Sequence, residues 1–245
     1  MKQIVFCTSI ALTFLLFASA GQDGQAQTAI DGVHNEHVVR ATLSEEDPVS
    51  PGNEFEGSVK WRADKADLES ADPYQLRADI MFPKRRLATS LTIRLNLDQA
   101  FPASHIAEIA FDHPHDQVST VLGILVKRIW NIRGTAVPGI AIKSRPNVFT
   151  IAYPEDQVEE TTALLYGRRW LEIAMVFANR RRPLLAIDKD VPGGAAFKQV
   201  FASWGQINPR IAQAVARVDT NWRPEVDPQL DSWKPVGPQF KNWRP

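Results

Sequence analysis

The chain has 245 residues, and its 28 Lys and Arg are balanced by 28 Asp and Glu. That balance gives no charge-based case for nucleic acid, for an anionic membrane surface or for a highly charged substrate as partner. A hydrophobic fraction of 44% is enough for a packed core, and the one cysteine, Cys7, lies in the N-terminal apolar run, so a chain cleaved after that run has no disulfide, cysteine metal site or cysteine nucleophile.

Residues 1–20 read as an export leader. Lys2 is a short basic start, Ile4 to Phe17 an apolar stretch, and Ala18-Ser19-Ala20 a small-x-small cleavage signal before Gly21. The apolar stretch is shorter than the roughly 18 residues a membrane span needs, and nothing later reaches that length. The expected location is therefore periplasmic or secreted, with no transmembrane segment after cleavage. Residues 21–57 are poor in aromatics, rich in Gly, Gln, Asp and Glu, and lack sustained periodicity. They read as a disordered spacer. His34 and His37 within it read as solvated side chains.

Order is expected from Ser58. Ser58 to Arg62 is a first strand. The stretch from Leu76 to Phe111 carries the clearest pattern in the chain. Leu87, Thr89, Leu91, Ile93, Leu95 and Leu97 share one parity, and Ala88, Ser90, Thr92, Arg94, Asn96 and Asp98 the other. This is the period of a strand with one face on a core and one on water. With Ala78 to Phe82 before it and His105 to Phe111 after it, it predicts three neighbouring antiparallel strands. Val118 to Trp130 is assigned as a strand on its β-branched content. Ile140 to Lys143 and Val148 to Tyr153 read as a strand pair around the turn Arg145-Pro146-Asn147.

Pro154-Glu155-Asp156 opens a helix, because Pro and acidic residues suit a first turn. Val158, Thr162 and Leu165 form its inner face, and Gly167 ends it. Trp170 to Phe177 alternates again. The reversal Ala178 to Arg181 gives Asn179 the positive φ, and Pro183 to Ile187 returns. Phe197, Val200, Phe201 and Trp204 recur at helical spacing, and Asn208-Pro209 caps one more short helix bearing Ile211, Val215 and Val218. The expected fold is α+β: one domain from 58 to 218, mostly antiparallel β-sheet curved into a sandwich, with two or three packed helices.

From residue 219 the character changes. Asn221-Trp222-Arg223-Pro224, Ser232-Trp233-Lys234-Pro235 and Asn242-Trp243-Arg244-Pro245 repeat one small unit in a Pro-rich tail. Pro at that density forbids regular structure. Three spaced tryptophans need a surface to lie on, either the chain's own domain, a protein partner or the sugar faces of an envelope glycan. Trp222, Arg223, Trp233, Lys234, Trp243 and Arg244 are the candidate partner-binding residues.

Two further constellations bear on catalysis. Ser104 and His105, with Asp98 nearby, could act as nucleophile, base and orienting group of a hydrolase. Against this, adjacent strand residues point to opposite faces, and the plainer reading is a turn in which Asp98 and Ser104 bond backbone groups. In Asp112-His113-Pro114-His115-Asp116, His113 and His115 could ligate a divalent metal, or sit in a solvated loop. No cofactor is implied.

The segment from Phe82 to His105, FP-x-R-R-L-A-x-x-L-T-I-R-x-N-L-D-x-A-x-P-A-S-H, resembles a conserved-hypothetical domain of alphaproteobacterial, Rhizobiales-type exported proteins. The resemblance continues through Leu164, Leu165, Trp170, the Asn179-Arg180 reversal and the helix ending at Trp204. That group has no assigned activity, so the resemblance implies an extracytoplasmic domain and no catalytic residues.

Overall fold

A computed structural model describes residues 39–45, 52–65, 73–112 and 118–218. The chain divides into two compact units, Met1–Glu36 and His37–Pro245, and the described residues all belong to the second. Residues 1–20, His34, His37, His113, His115 and the tail tryptophans lie outside the described residues.

In chain order the elements are β1 (Val39–Glu45), β2 (Asn53–Asp64), β3 (Gln75–Phe82), β4 (Leu87–Leu95), β5 (Ala103–Phe111), β6 (Val118–Lys127), β7 (Thr135–Ala136), β8 (Ile140–Arg145), β9 (Val148–Pro154), α1 (Val158–Gly167), β10 (Trp170–Phe177), β11 (Leu184–Asp188), α2 (Asp190–Ile207) and α3 (Pro209–Arg217). The strands form one sheet in the order β7-β6-β10-β11-β1-β2-β3-β4-β5-β9-β8, and every pairing is antiparallel. The predicted trio around Leu87 is present as β3, β4 and β5, with Leu87, Thr89, Leu91, Ile93 and Leu95 all buried. Leu97 departs from its parity: the strand ends at Leu95 and Leu97 faces solvent.

The sheet is one curled layer and not clearly the sandwich expected. It curls as a half-barrel until β6 lies against β8 and β9, and no ladder closes the seam between them. A strongly twisted sheet of this width curls rather than stays flat, and the apolar parity of each strand then faces inward. α2 covers part of that inner face over β2 and β3, with α1 and α3 beside it. Phe197, Val200, Phe201 and Trp204 of α2 are buried. Trp61 meets Phe197 edge-on at 5.4 Å and donates its indole N–H to the Asp188 carbonyl at 2.7 Å. The Trp204 indole donates to the Tyr74 carbonyl at 2.7 Å. Each large ring thus keeps its one polar atom satisfied while burying the rest.

The expected spacer boundary at 57 moves. β1 and the start of β2 fall inside 21–57, with β1 between β11 and β2. Val39, Ala41 and Leu43 are buried, but three apolar residues make too short a pattern to stand out from a polar stretch. One of the two strands that pair with them, β11, lies more than a hundred positions away. At the β10–β11 reversal, Arg180 and not Asn179 takes positive φ, at 65°, while the Asn179 side chain accepts from the Arg181 N–H at 3.0 Å. The predicted Asn147 turn between β8 and β9 has φ 59°, and the Asn208 side chain caps α3 by accepting from Arg210 N–H at 3.0 Å.

Among the described residues no helix is long and apolar enough to cross a membrane.

Candidate functional site

Two environments lie along one short stretch, and β5 separates them. The first is the Ser104–His105 pair. β5 carries one residue more than β9 between the partners Ala103↔Pro154 and His105↔Tyr153. Ser104 is that extra residue, and such a bulge re-aims side chains that a regular strand would send to opposite faces. Ser104 Oγ therefore lies 2.8 Å from His105 Nδ1. The expectation that strand alternation keeps the two apart is corrected by this bulge, which one sequence read by itself does not reveal.

The contact does not make a nucleophile. Both residues are buried, and the imidazole lies beneath the rings of Phe201 and Trp204, at 6.2 Å and 5.0 Å between centroids. Burial alone pushes its pKa down to about 3, so it is neutral at neutral pH. Ser104 Oγ also lies 3.3 Å from the Tyr153 carbonyl, to which it donates. With the hydroxyl proton directed there, the satisfied tautomer carries its proton on Nδ1 and donates to Ser104 Oγ. A general base needs the reverse. His105 Nε2 has no hydrogen-bond partner, so no carboxylate orients the ring. Asp98, the sequence's candidate for that part, is exposed and accepts from the Ala100 N–H at 2.9 Å.

The second environment is an open groove of about 420 Å³ lined by Pro73, Gln75, Arg94, Leu95, Asn96, Leu97, Asp98, Phe101 and Ile106. Arg94 and Ile106 are opposite one another on β4 and β5, on the face away from His105. Leu97 and Phe101 present large apolar surfaces at the rim, and Arg94 has no ion-pair partner among the described residues. The groove thus offers apolar contact with one cation, Arg94, and one carboxylate, Asp98.

Asn96 builds this groove, and sequence reasoning passed over it as a solvent-side strand residue. Its side-chain amide N–H group reaches the carbonyls of Asp98 at 3.0 Å, Phe101 at 2.9 Å and Ala103 at 2.8 Å. Its side-chain oxygen accepts from the Asp98 N–H at 3.2 Å, and its backbone N–H donates to the Ser104 carbonyl at 2.9 Å. An Asn followed two residues on by Asp is a turn signal, and that was the available clue. Asn96→Ala is expected to cost about 1–2 kcal/mol and to loosen residues 96–103. Amide hydrogen exchange would check this, with faster exchange of the Ala100 and Ala103 amides while β3 and β4 stay protected. Unchanged exchange would remove Asn96 as the organiser.

Among the described residues no three His, Cys, Asp or Glu gather so as to hold a metal ion. No family model, no curated protein and no solved structure matches the chain.

Proposed function

We propose that this protein is an exported, non-enzymatic interaction module that binds a component of the cell envelope. The observation that carries the reading is the contrast across β5: the pair suited to chemistry is walled into the core, and the exposed surface at the same strand end is a groove suited to recognition. The leader supports export, and the repeated Trp-basic-Pro units supply a second contact strip in Trp222, Arg223, Trp233, Lys234, Trp243 and Arg244. A stiff Pro-rich segment loses little entropy on docking, and two linked contacts reinforce one another through effective concentration.

The hydrolase reading keeps one supporting observation, the 2.8 Å contact of Ser104 with His105. Both readings are tested on the leader-free chain from Gly21. As bait on a cell-envelope extract, the parent is expected to retain a component that a Trp222/Trp233/Trp243→Ala variant or an Arg94→Ser/Phe101→Ala variant retains at least several-fold less. Against small ester substrates it is expected to give no turnover above buffer. Turnover that disappears in Ser104→Ala would replace the binder with the enzyme.

A further inference from the structure

The chain is neutral overall, but its charge is unevenly placed. From Val118 to Pro154 there is no Asp or Glu, while Lys127, Arg128, Arg133, Lys143 and Arg145 are all cationic. This stretch builds β6, β7, β8 and β9, and so both sides of the open seam.

At the end of β6 the chain leaves the sheet and residues 128–134 form a loop, where strand had been expected as far as Trp130. Ile129 and Ile132 stand 46% and 42% exposed on it. Across the seam, Ile140 and Ile142 of β8 are 66% and 56% exposed. The loop is held firmly from below. Trp130 lies 4.6 Å from Trp170 and over the Lys127 ammonium at 4.3 Å. Lys127 forms a buried 2.6 Å ion pair with Glu172. Gly134 brings the loop back over that pair: a Cβ there would sit 2.6 Å from Glu172 Oε2 and 2.8 Å from Leu125 Cβ. The apolar tips are therefore presented on a fixed base.

The charged residues on the loop itself, Arg128 and Arg133, are both cationic. Arg128 and Arg133 are exposed and Arg168, at the entry to β10, is half-buried. None has an ion-pair partner among the described residues. The Trp170↔Lys127 pairing brings Arg168 and Arg128 to the same end of the β6–β10 ladder, and burial together with Arg128 pushes the Arg168 pKa down. Arg169 beside them differs, because Asp188 holds it in a bidentate pair at 2.9 Å and 2.8 Å.

We propose that this seam docks on an anionic phospholipid bilayer, with Ile129 and Ile132 entering the headgroup–acyl boundary and Arg128, Arg133 and Arg168 meeting lipid phosphates. Exposed isoleucines beside unpaired arginines match a surface that is apolar within and anionic at its rim. A nucleic acid or an acidic glycan would use the arginines and leave the isoleucines without a role. The inference rests on the envelope-binding reading and names one envelope component for it.

The test is co-sedimentation of the leader-free chain with vesicles of equal parts phosphatidylglycerol and phosphatidylcholine, against vesicles of phosphatidylcholine alone. Three variants run beside the parent: Ile129→Ser/Ile132→Ser, Arg128→Gln/Arg133→Gln/Arg168→Gln, and the tail variant Trp222/Trp233/Trp243→Ala. The parent is expected to bind the anionic vesicles at least tenfold more tightly than the neutral ones. The isoleucine variant is expected to lose about tenfold or more, and each arginine about fivefold. The tail variant should still bind. Absence of parent binding, binding lost only in the tail variant, or an isoleucine variant equal to the parent would each overturn the proposal, the last in favour of an anionic polymer. Vesicle binding absent while an envelope extract still yields a retained component would remove this inference and leave the envelope-binding reading standing. Failure of both would remove both. Ile129 and Ile132 are surface residues, so their variant keeps the test decisive if Arg168→Gln disturbs folding.

Discussion

Lys127→Met is expected to destabilise the protein by about 3–5 kcal/mol, while Lys127→Met/Glu172→Leu is expected to regain most of that loss. The ammonium and carboxylate are both buried and lie 2.6 Å apart across β6 and β10. Burial pushes the Lys127 pKa down and the Glu172 pKa up, and each group's charge holds the other back. Removing the lysine alone leaves a carboxylate under Gly134 with no cation to meet it, and it must either remain charged at high cost or take up a proton. Removing both charges leaves an apolar pocket beside Leu125 and Ala174 that Met and Leu can fill.

Urea unfolding at neutral pH would measure both variants. A double variant as unstable as the single one would show that shape at Lys127, not uncompensated charge, sets the cost. A modest part of the loss should persist in both, since the Trp130 ring over the ammonium contributes on the order of 1 kcal/mol. The single variant carries a second signature. Protonation of the stranded Glu172 would make its stability fall as pH rises through the raised folded pKa, because a raised carboxyl pKa contributes stability that is present at low pH and lost above it.

Local chemistry decided how much of this could be read in advance. β4 alternates over nine residues, and Asn147 and Asn208 mark turn and cap by side-chain chemistry that acts within a few positions. These were legible. β1 is held by β2 and by β11, and the second partnership is set by a pairing some 140 residues away. The curl of the sheet is likewise a property of all its strands together, and binary patterning does not distinguish a curled sheet from two stacked ones. The Ser104 bulge depends on the register of β9, so the sequence supported only the regular-strand argument. The seam loop carried a sequence sign, two isoleucines and a tryptophan between arginines, but its apolar residues extended the β6 pattern and were read as strand. The overall charge balance hid the acid-free stretch because it averages over the whole chain.

The buried Lys189 illustrates the same limit. Its ammonium donates to the carbonyl of Leu165, and to that of Tyr166 at 3.3 Å, at the end of α1, while lying 3.6 Å from the Phe197 ring centroid. Burial pushes its pKa well below the ordinary lysine value. A lysine near a helix C-terminus satisfies carbonyls that have no partner within the helix, but this one arrives from the start of α2, so no spacing within α1 could have announced it.

The other large effect concerns His105 and tests whether the Ser104 pair is closed to solvent. In the folded chain the imidazole stays neutral down to about pH 3, whereas in the unfolded chain it takes a proton near pH 6.5. The folded pKa of this base is depressed, so its contribution to stability is complete above pH 6.5 and is lost as pH falls toward 3. Across that window the unfolded state holds one more proton, and stability falls by up to about 1.4 kcal/mol per pH unit from this group. Carboxylates titrate over the same range, so the measurement is a difference: urea unfolding of parent and His105→Phe at a series of pH values. Phe fits among Phe201 and Trp204 and leaves Ser104 its bond to the Tyr153 carbonyl, so the two proteins are expected to match near neutral pH and to diverge below it, the variant being the more acid-resistant. Parallel curves would mean that the imidazole accepts its proton in the folded state. A histidine that does so is reached by solvent, and Ser104 beside it would then be open to substrate after all.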